Sequence, residues 1–293
     1  MVLMNSTSKG TEFYLKQSLR CGDKMLNFAK PLVMGILNIT PDSFYAGSRT
    51  PSQTLWMSAA RQMIAEGATI LDIGAASSRP GAATVSEDEE LRRLIPVVEE
   101  LVQAFPGALL SIDTYRANVA ARAIESGAHI INDISAGDLD PAMFETIAGL
   151  GVPYIMMHMQ GTPNHMQANP VYADVVNDIK IYFEHRLEKL FQYGAVDVML
   201  DPGFGFGKTI FHNYEILRRL NEFNSFKLPV VAGLSRKSMI YNVLGTVPEE
   251  ALNGTTALHS LALLNGADII RVHDVREAVE SIMLMEAYNN NPV

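Results

Sequence analysis

Polar residues close almost every apolar run in this chain. The runs end at Asn38, Asp72, Asp113, Asn132-Asp133, His158, Asp201, Ser235-Arg236-Lys237, and Arg271 followed by His273. Asp113 and Asp201 can accept from N–H groups, whereas Lys237, Arg236, Arg271 and Arg79 can bind anionic oxygens. Arg271 and His273 stand two apart and so share one face of an extended segment. Asn132 and Asp133 are adjacent and must face opposite ways, with Asn132 the one expected in a pocket. Asp274, with Glu277 three residues on, reads as a helix start whose backbone N–H groups would add to an anion site. Blander readings stand beside these. Arg271 could brace a rim through an aspartate, and Asp72 could equally line a pocket or hold a loop. His158, in the Met-rich run Met156 to Met159, reads first as a core residue.

Three loop-like segments follow such ends. Asp201-Pro202-Gly203-Phe204-Gly205-Phe206-Gly207-Lys208-Thr209 mimics a phosphate loop, but Pro202 stands where that motif needs glycine. We read it as a loop that offers Phe206 and Lys208 to a flat ligand, with Asp201 at its base. The stretches Asn38 to Gly47 and Ala75 to Gly81 mix Gly, Pro and small polar residues and read as active-site lids.

The elements that must carry these tips repeat one theme. Gly67, Gly127, Gly194 and Gly266 each end a helical pattern and precede a short apolar run. With the runs Leu32 to Asn38, Ala108 to Asp113, Pro153 to His158 and Leu228 to Gly233, about eight strands result, nearly all apolar on both faces. Helical patterns alternate with them over 52–66, 87–105, 115–126, 141–150, 174–193, 213–223, 249–264 and 275–288. Ser86, three before Glu89, has capping-box spacing. Eight alternations predict a single (β/α)8 barrel of the α/β class, with a doubly wound open sheet as the alternative. Gln17 to Phe28 reads as a hairpin around Cys21-Gly22-Asp23, expected to cap the barrel floor. The expected organisation is an N-terminal extension over 1–30, a barrel over 31–288 and a loose end over 289–293.

Composition narrows the function classes. The chain has 293 residues, 48% hydrophobic and 19% charged, enough apolar content for a large core. Its net charge of −9 argues against nucleic acid as a partner, so an anionic substrate must be drawn by local Arg and Lys. One cysteine rules out an internal disulfide and suits a cytoplasmic location. No run nears the roughly 18 apolar residues of a membrane span, and the first 30 residues lack the apolar core of a secretory signal.

From Pro31 to Glu286 the chain resembles the dihydropteroate synthase family. Met34 to Phe44 is similar to that family's first pterin-binding signature, and Asp72-Ile73-Gly74 through Ser77-Ser78-Arg79-Pro80-Gly81 to its second. Asp201 to Lys208, Ser235-Arg236-Lys237-Ser238 and Arg271-Val272-His273-Asp274 complete the pattern in order. The resemblance implies condensation of 6-hydroxymethyl-7,8-dihydropterin diphosphate with 4-aminobenzoate by a dissociative displacement, and sulfonamide mimics of the second substrate as ligands. It implies pterin contacts from Asp113, Asn132, Met157, Asp201 and Lys237, and diphosphate contacts from Asn38, Ser78, Arg79, Arg271 and His273. Ser78, Arg79, Pro80, Phe206, Lys237 and Ser235 would form the 4-aminobenzoate pocket. Asp113, Lys237, Arg271 and His273 would carry catalysis, with a Mg²⁺ ion at Asn38 and a homodimer through outer helices. The chain departs from the pattern at Ala76, where many relatives have Glu, at Tyr45-Ala46, where many have Ser-Asp, and at Ser78, where Thr is common. A methyltetrahydrofolate:corrinoid methyltransferase-like barrel and a silent pterin-binding paralogue are the alternatives. The first would not need Arg271, His273 or the Ser235 to Lys237 run.

Overall fold

The structure, a computed structural model, describes residues 18–39, 52–76, 85–162, 165–167, 169–195 and 197–289. It opens with a two-stranded antiparallel hairpin, β1 (Ser18–Cys21) and β2 (Lys24–Asn27). Gly22 supplies the turn with φ +67°, a conformation costly for a residue with Cβ. Eight parallel strands follow: β3 (Leu32–Asn38), β4 (Ile70–Gly74), β5 (Leu109–Asp113), β6 (Ile130–Asp133), β7 (Tyr154–Met157), β8 (Val198–Asp201), β9 (Val231–Ala232) and β10 (Ile269–Val272). Their order is β8-β7-β6-β5-β4-β3-β10-β9. A parallel bridge from Leu200 to Val230, with Leu200 N–H donating to the Pro229 carbonyl at 2.8 Å, joins the two edges. The sheet thereby closes as a barrel, and the open-sheet alternative falls.

Helices run between the strands: α1 (Ser52–Glu66), α2 (Glu87–Ala104), α3 (Ala117–Glu125), α4 (Met143–Leu150), α5 (Val175–Gln192), α6 (Ile210–Arg218), α7 (Ser238–Leu244), α8 (Leu252–Leu264) and α9 (Val275–Asn289). The four predicted helix-stop glycines, Gly67, Gly127, Gly194 and Gly266, have φ between +90° and +107°. Ser86 caps α2 by accepting from Glu89 N–H. The Glu89 carboxylate instead takes Arg92 and Arg93, so the predicted reciprocal box is incomplete. A complete box forms at Thr209 and His212, at the start of α6.

Several elements differ from expectation, three of them by more than a frayed end or a 3-10 first turn. β9 is two residues long, because Pro229 offers no N–H to a ladder. The helix expected over 213–223 is α6 followed by a 3-10 turn over Leu220–Phe226. Helix α7, stopped by Gly245 with φ +66°, is an extra helix between β9 and α8.

Apolar side chains fall into two clusters. One packs the outer barrel face against the helices. The other plugs the floor: Leu19, Cys21 and Leu26 of the hairpin meet the inward residues Met34, Ile70, Leu109, Ile130, Ile155, Met199, Val231 and Ile269. All eight barrel strands contribute to that plug, so it closes the N-terminal end and leaves the C-terminal end for chemistry.

Candidate active site

Strand alternation places a second inward ring above the floor. Each of its members lies two residues beyond a floor residue on its own strand or strand extension. Asp72 follows Ile70, Ser111 follows Leu109, Asn132 follows Ile130, Met157 follows Ile155, Asp201 follows Met199, Gly233 follows Val231 and Arg271 follows Ile269. One step higher stand Asn38, Gly74 and Asp113. Register sets Met157 beside Asp201 and Asp113 beside Asn132. The sheet thus brings Asp113, Asn132, Met157, Asp201 and Arg271 to one mouth, and Lys237 reaches it from the turn before α7.

The carboxylates and cations form one connected network. Arg271 donates from Nε to Asp72 Oδ2 at 2.6 Å and from Nη2 to Asp113 Oδ2 at 2.8 Å. Asn132 Nδ2 donates to the same Asp72 oxygen at 3.0 Å, which fixes the orientation of its amide. Asp72 therefore faces the pocket side of β4 and answers the question its sequence position left open. Its Oδ1 is buried with no hydrogen-bond partner among the described residues. The bracing reading of Arg271 is also realised here, since it bridges two aspartates. Asp133 faces outward and takes Ser135 N–H, Gly137 N–H and the Tyr154 hydroxyl at 2.6–2.8 Å.

Asp201 is 4% exposed, and its Oδ1 accepts from Gly203 N–H at 2.7 Å. A Cβ at Gly233 would stand 3.6 Å from Asp201 Oδ2, so that glycine keeps the second oxygen clear. Lys237 donates to the Phe204 carbonyl, and its Nζ lies 4.9 Å from the Phe206 ring centroid. Ser235 Oγ lies 3.0 Å from His273 Nδ1 and accepts from His273 N–H at 3.2 Å, which ties two rim elements together.

Burial sets the electrostatics. It pushes the Asp113 carboxyl up to about 7; Arg271 opposes this and the Asp72 charge adds to it. Burial raises Asp201 as well, with Lys237 opposing. The same desolvation brings Lys237 down to about 8, against the pull of Asp201. It also works against the Arg271 charge, but Asp72 and Asp113 outweigh it and hold the guanidinium above its ordinary range. The mouth therefore holds acids and a base drawn toward neutrality, a pattern common where protons and charge move.

Several expectations change. Lys208 is not offered to a ligand. It is 3% exposed, and its Nζ is enclosed by the carbonyls of Gly203, Phe206 and His158 and by His158 Nδ1. Arg236 is not an anion binder: it holds Asp274 bidentately at 2.8 Å and donates to the Pro248 and Glu249 carbonyls. Asp274 serves that pair. His158 points away from the mouth, its ring edge-on to Tyr182 at 4.9 Å. Ser78, Arg79 and Pro80 lie outside the described residues, as do Tyr45 and Ala46 and most of both lid stretches. Sequence reasoning passed over Gly74 and Gly233, whose missing side chains keep the mouth open; their place two residues after Asp72 and two before Ser235, on the same strand face, was the available signal.

Comparison with known proteins agrees with this architecture. The family of pterin binding enzymes matches residues 34–273. The dihydropteroate synthase of Escherichia coli (strain K12) is 47% identical over 264 residues, which is 89% of this chain and 93% of that protein. That of Bacillus subtilis (strain 168) is 41% identical over 89% of this chain and 90% of its own length. A crystal structure of Yersinia pestis dihydropteroate synthase with a sulfonamide drug complex superposes with TM-score 0.88 at 44% identity, covering 94% of this chain and 100% of that one. The Xanthomonas albilineans enzyme with 4-aminobenzoic acid superposes with TM-score 0.89 at 38% identity over the same shares. This chain belongs to the dihydropteroate synthase family of pterin-binding enzymes.

Proposed function

We propose that the chain joins 6-hydroxymethyl-7,8-dihydropterin diphosphate to 4-aminobenzoate, releasing 7,8-dihydropteroate and pyrophosphate. One observation carries this: a buried carboxylate whose Oδ2 has no hydrogen-bond partner among the described residues (Asp201), an oriented amide (Asn132), a second acid (Asp113) and a lysine (Lys237) converge on one apolar-floored mouth. A pterin presents an amino group and a ring N–H side by side, and Asp201 accepts both. Asn132 reads the ring edge, Met157 packs against the face, and Lys237 donates to the ring carbonyl. The C–O bond at the exocyclic methylene breaks first, and pyrophosphate leaves with the bonding pair. Asp113, once ionised, stabilises the cation that remains on the pterin. The arylamine nitrogen then forms the new C–N bond and loses a proton to solvent.

Arg271 and His273 face the departing diphosphate, where fixed charge lowers the barrier by favouring the leaving group. Ser78 and Arg79 complete that set, and Pro80, Phe206, Ser235 and Lys237 bound the 4-aminobenzoate pocket. Mg²⁺ fits this mouth. Among the described residues no three acidic, His or Cys side chains cluster to hold a metal. Mg²⁺, however, keeps several waters and needs few protein ligands beside a substrate phosphate. A Cβ at Gly74 would stand 3.3 Å from Asn38 Oδ1 and 3.7 Å from Asp113 Oδ2, so the glycine leaves a gap between two hard oxygens. When bound, the ion would offset the diphosphate charge, with Asn38 as its ligand.

Sulfonamides would compete with 4-aminobenzoate. A homodimer is proposed through α7 and α8, where Val243, Leu244, Leu261 and Leu264 are exposed. A cytoplasmic location suits the single free cysteine, Cys21. Among the described residues no helix is long and apolar enough to cross a membrane. The test is mass detection of dihydropteroate from both substrates with Mg²⁺, and its suppression by a sulfonamide that 4-aminobenzoate relieves. Absence of product with correctly folded enzyme would refute the activity.

A further inference from the structure

Lys208 and His158 both carry chemistry-bearing side chains, and neither reaches the substrates proposed above. Lys208 Nζ donates to the Gly203 carbonyl at 2.8 Å, the Phe206 carbonyl at 2.9 Å and the His158 carbonyl at 3.2 Å, and His158 Nδ1, at 3.0 Å, shares its three hydrogens as a fourth acceptor within reach. Two of these acceptors belong to the loop after β8 and two to the end of β7. The loop meets the active-site residues at three points. Gly203 N–H donates to Asp201 Oδ1, the Phe204 carbonyl accepts from Lys237, and the Phe206 ring lies against Lys237. The backbone approaches closely here: a Cβ at Gly203 would stand 2.0 Å from the His158 carbonyl oxygen. Other ties hold the loop's far side, with Gly205 N–H on Asn213 Oδ1 and the Tyr172 hydroxyl on the Gly207 carbonyl. Phe206 N–H also donates to the Gly203 carbonyl at 3.1 Å, and among the described residues the Lys208 amine is the one side chain whose donor reaches the Gly203 and Phe206 carbonyls together.

We propose that Lys208, seated against His158, is a positioning residue that sets the Gly203–Phe206 backbone, and through it Asp201 and the Phe206 wall of the second-substrate pocket. The proposal rests on the activity assigned above for its kinetic consequence but not for its structural one. An amine with several hydrogens can satisfy several carbonyls at once, whereas a methionine of similar length satisfies none and leaves buried acceptors unpaired. His158 contributes one lone pair, which an asparagine Oδ1 can supply from nearly the same place and a leucine cannot.

Hydrogen–deuterium exchange of the intact protein tests the structural part. Lys208→Met should speed exchange across 203–207 at least tenfold while leaving the floor strands unchanged. His158→Leu should do the same, and His158→Asn should stay within threefold of wild type. Kinetics test the rest by a double-mutant cycle. Lys208→Met and Phe206→Ala should each raise KM for 4-aminobenzoate about tenfold or more, and the double variant should do no worse than the poorer single one. Exchange that rises evenly over the barrel, equal impairment by His158→Asn and His158→Leu, or multiplying KM effects would each overturn the proposal. If Lys208→Met does not fold, the His158 pair decides. A wild type without turnover would refute the activity alone, because the exchange result stands apart from it.

Discussion

Replacing Asp201 by alanine removes the carboxylate that we propose as the pterin anchor. The side chain is 4% exposed and its Oδ1 is engaged by Gly203 N–H at 2.7 Å, so the carboxylate is already oriented for the ligand proposed there. Two ligand donors lose a charged acceptor. A hydrogen bond to a charged group contributes about 1.5–3 kcal/mol, so the loss is roughly 3–6 kcal/mol. At about 1.4 kcal/mol per decade, that corresponds to roughly 10²–10⁴ in Kd. Asp201→Asn should fall between the two. Turning its amide oxygen to the ligand sets its NH2 against Gly203 N–H, and the reverse sets it against the ligand's donors. Calorimetric titration with 6-hydroxymethylpterin measures both variants, with thermal unfolding as the control for folding. Burial raises the Asp201 carboxyl above its ordinary range. Wild-type affinity should therefore decline on acidification while still above the usual carboxylate region, and Asp201→Asn should lack that decline. An Asp201→Ala variant that binds pterin within threefold of wild type would refute the anchor.

Three further outcomes follow from the same network. Asp113, raised to about 7, should impose an acid limb on kcat/KM near that pH, and Asp113→Asn should flatten it. Because its folded pKa lies above the unfolded value of about 3.9, the folded state binds more protons between about pH 4 and 7, and stability falls as pH rises through that window. Asp113→Asn should accordingly raise the thermal midpoint at pH 8 and leave it unchanged at pH 4. Arg271→Ala strips Asp72 and Asp113 of their shared cation and should cost about 3–5 kcal/mol in denaturant titrations at pH 8. It should also weaken diphosphate-bearing ligands far more than bare pterin, and equal losses would count against that role. Leu26→Ala, in the floor plug at 1% exposure, should cost about 2–5 kcal/mol of stability with kcat unchanged, because the hairpin lies at the far end of the barrel.

The barrel was legible in the sequence because each unit announces itself locally. A glycine stop at Gly67, Gly127, Gly194 or Gly266 is followed by a run with no polar face, and both signals survive without tertiary context. The strand-end positions of Asp113, Asn132, Asp201 and Arg271 follow from period-two alternation, which also separates Asn132 from Asp133. What could not be read is which charges pair across the barrel. Asp72 and Arg271 are 199 residues apart, and no local pattern tells a rim brace from an anion site. Lys208 misled for the same reason. A lysine in a glycine-rich loop resembles a ligand donor until the carbonyls of Gly203, Phe206 and His158 are found around it. Helix α7 was missed because seven residues give too little periodicity to distinguish a helix from a loop.

The most direct measurement is pyrophosphate release from 6-hydroxymethyl-7,8-dihydropterin diphosphate with Mg²⁺, with and without 4-aminobenzoate, quantified beside dihydropteroate. We expect one pyrophosphate for each dihydropteroate formed, with sustained turnover only when the amine is present. Tight pterin binding without pyrophosphate release under either condition would contradict a synthase and point to a silent pterin-binding barrel; methyl transfer from methyltetrahydrofolate by the same preparation would instead identify the methyltransferase alternative.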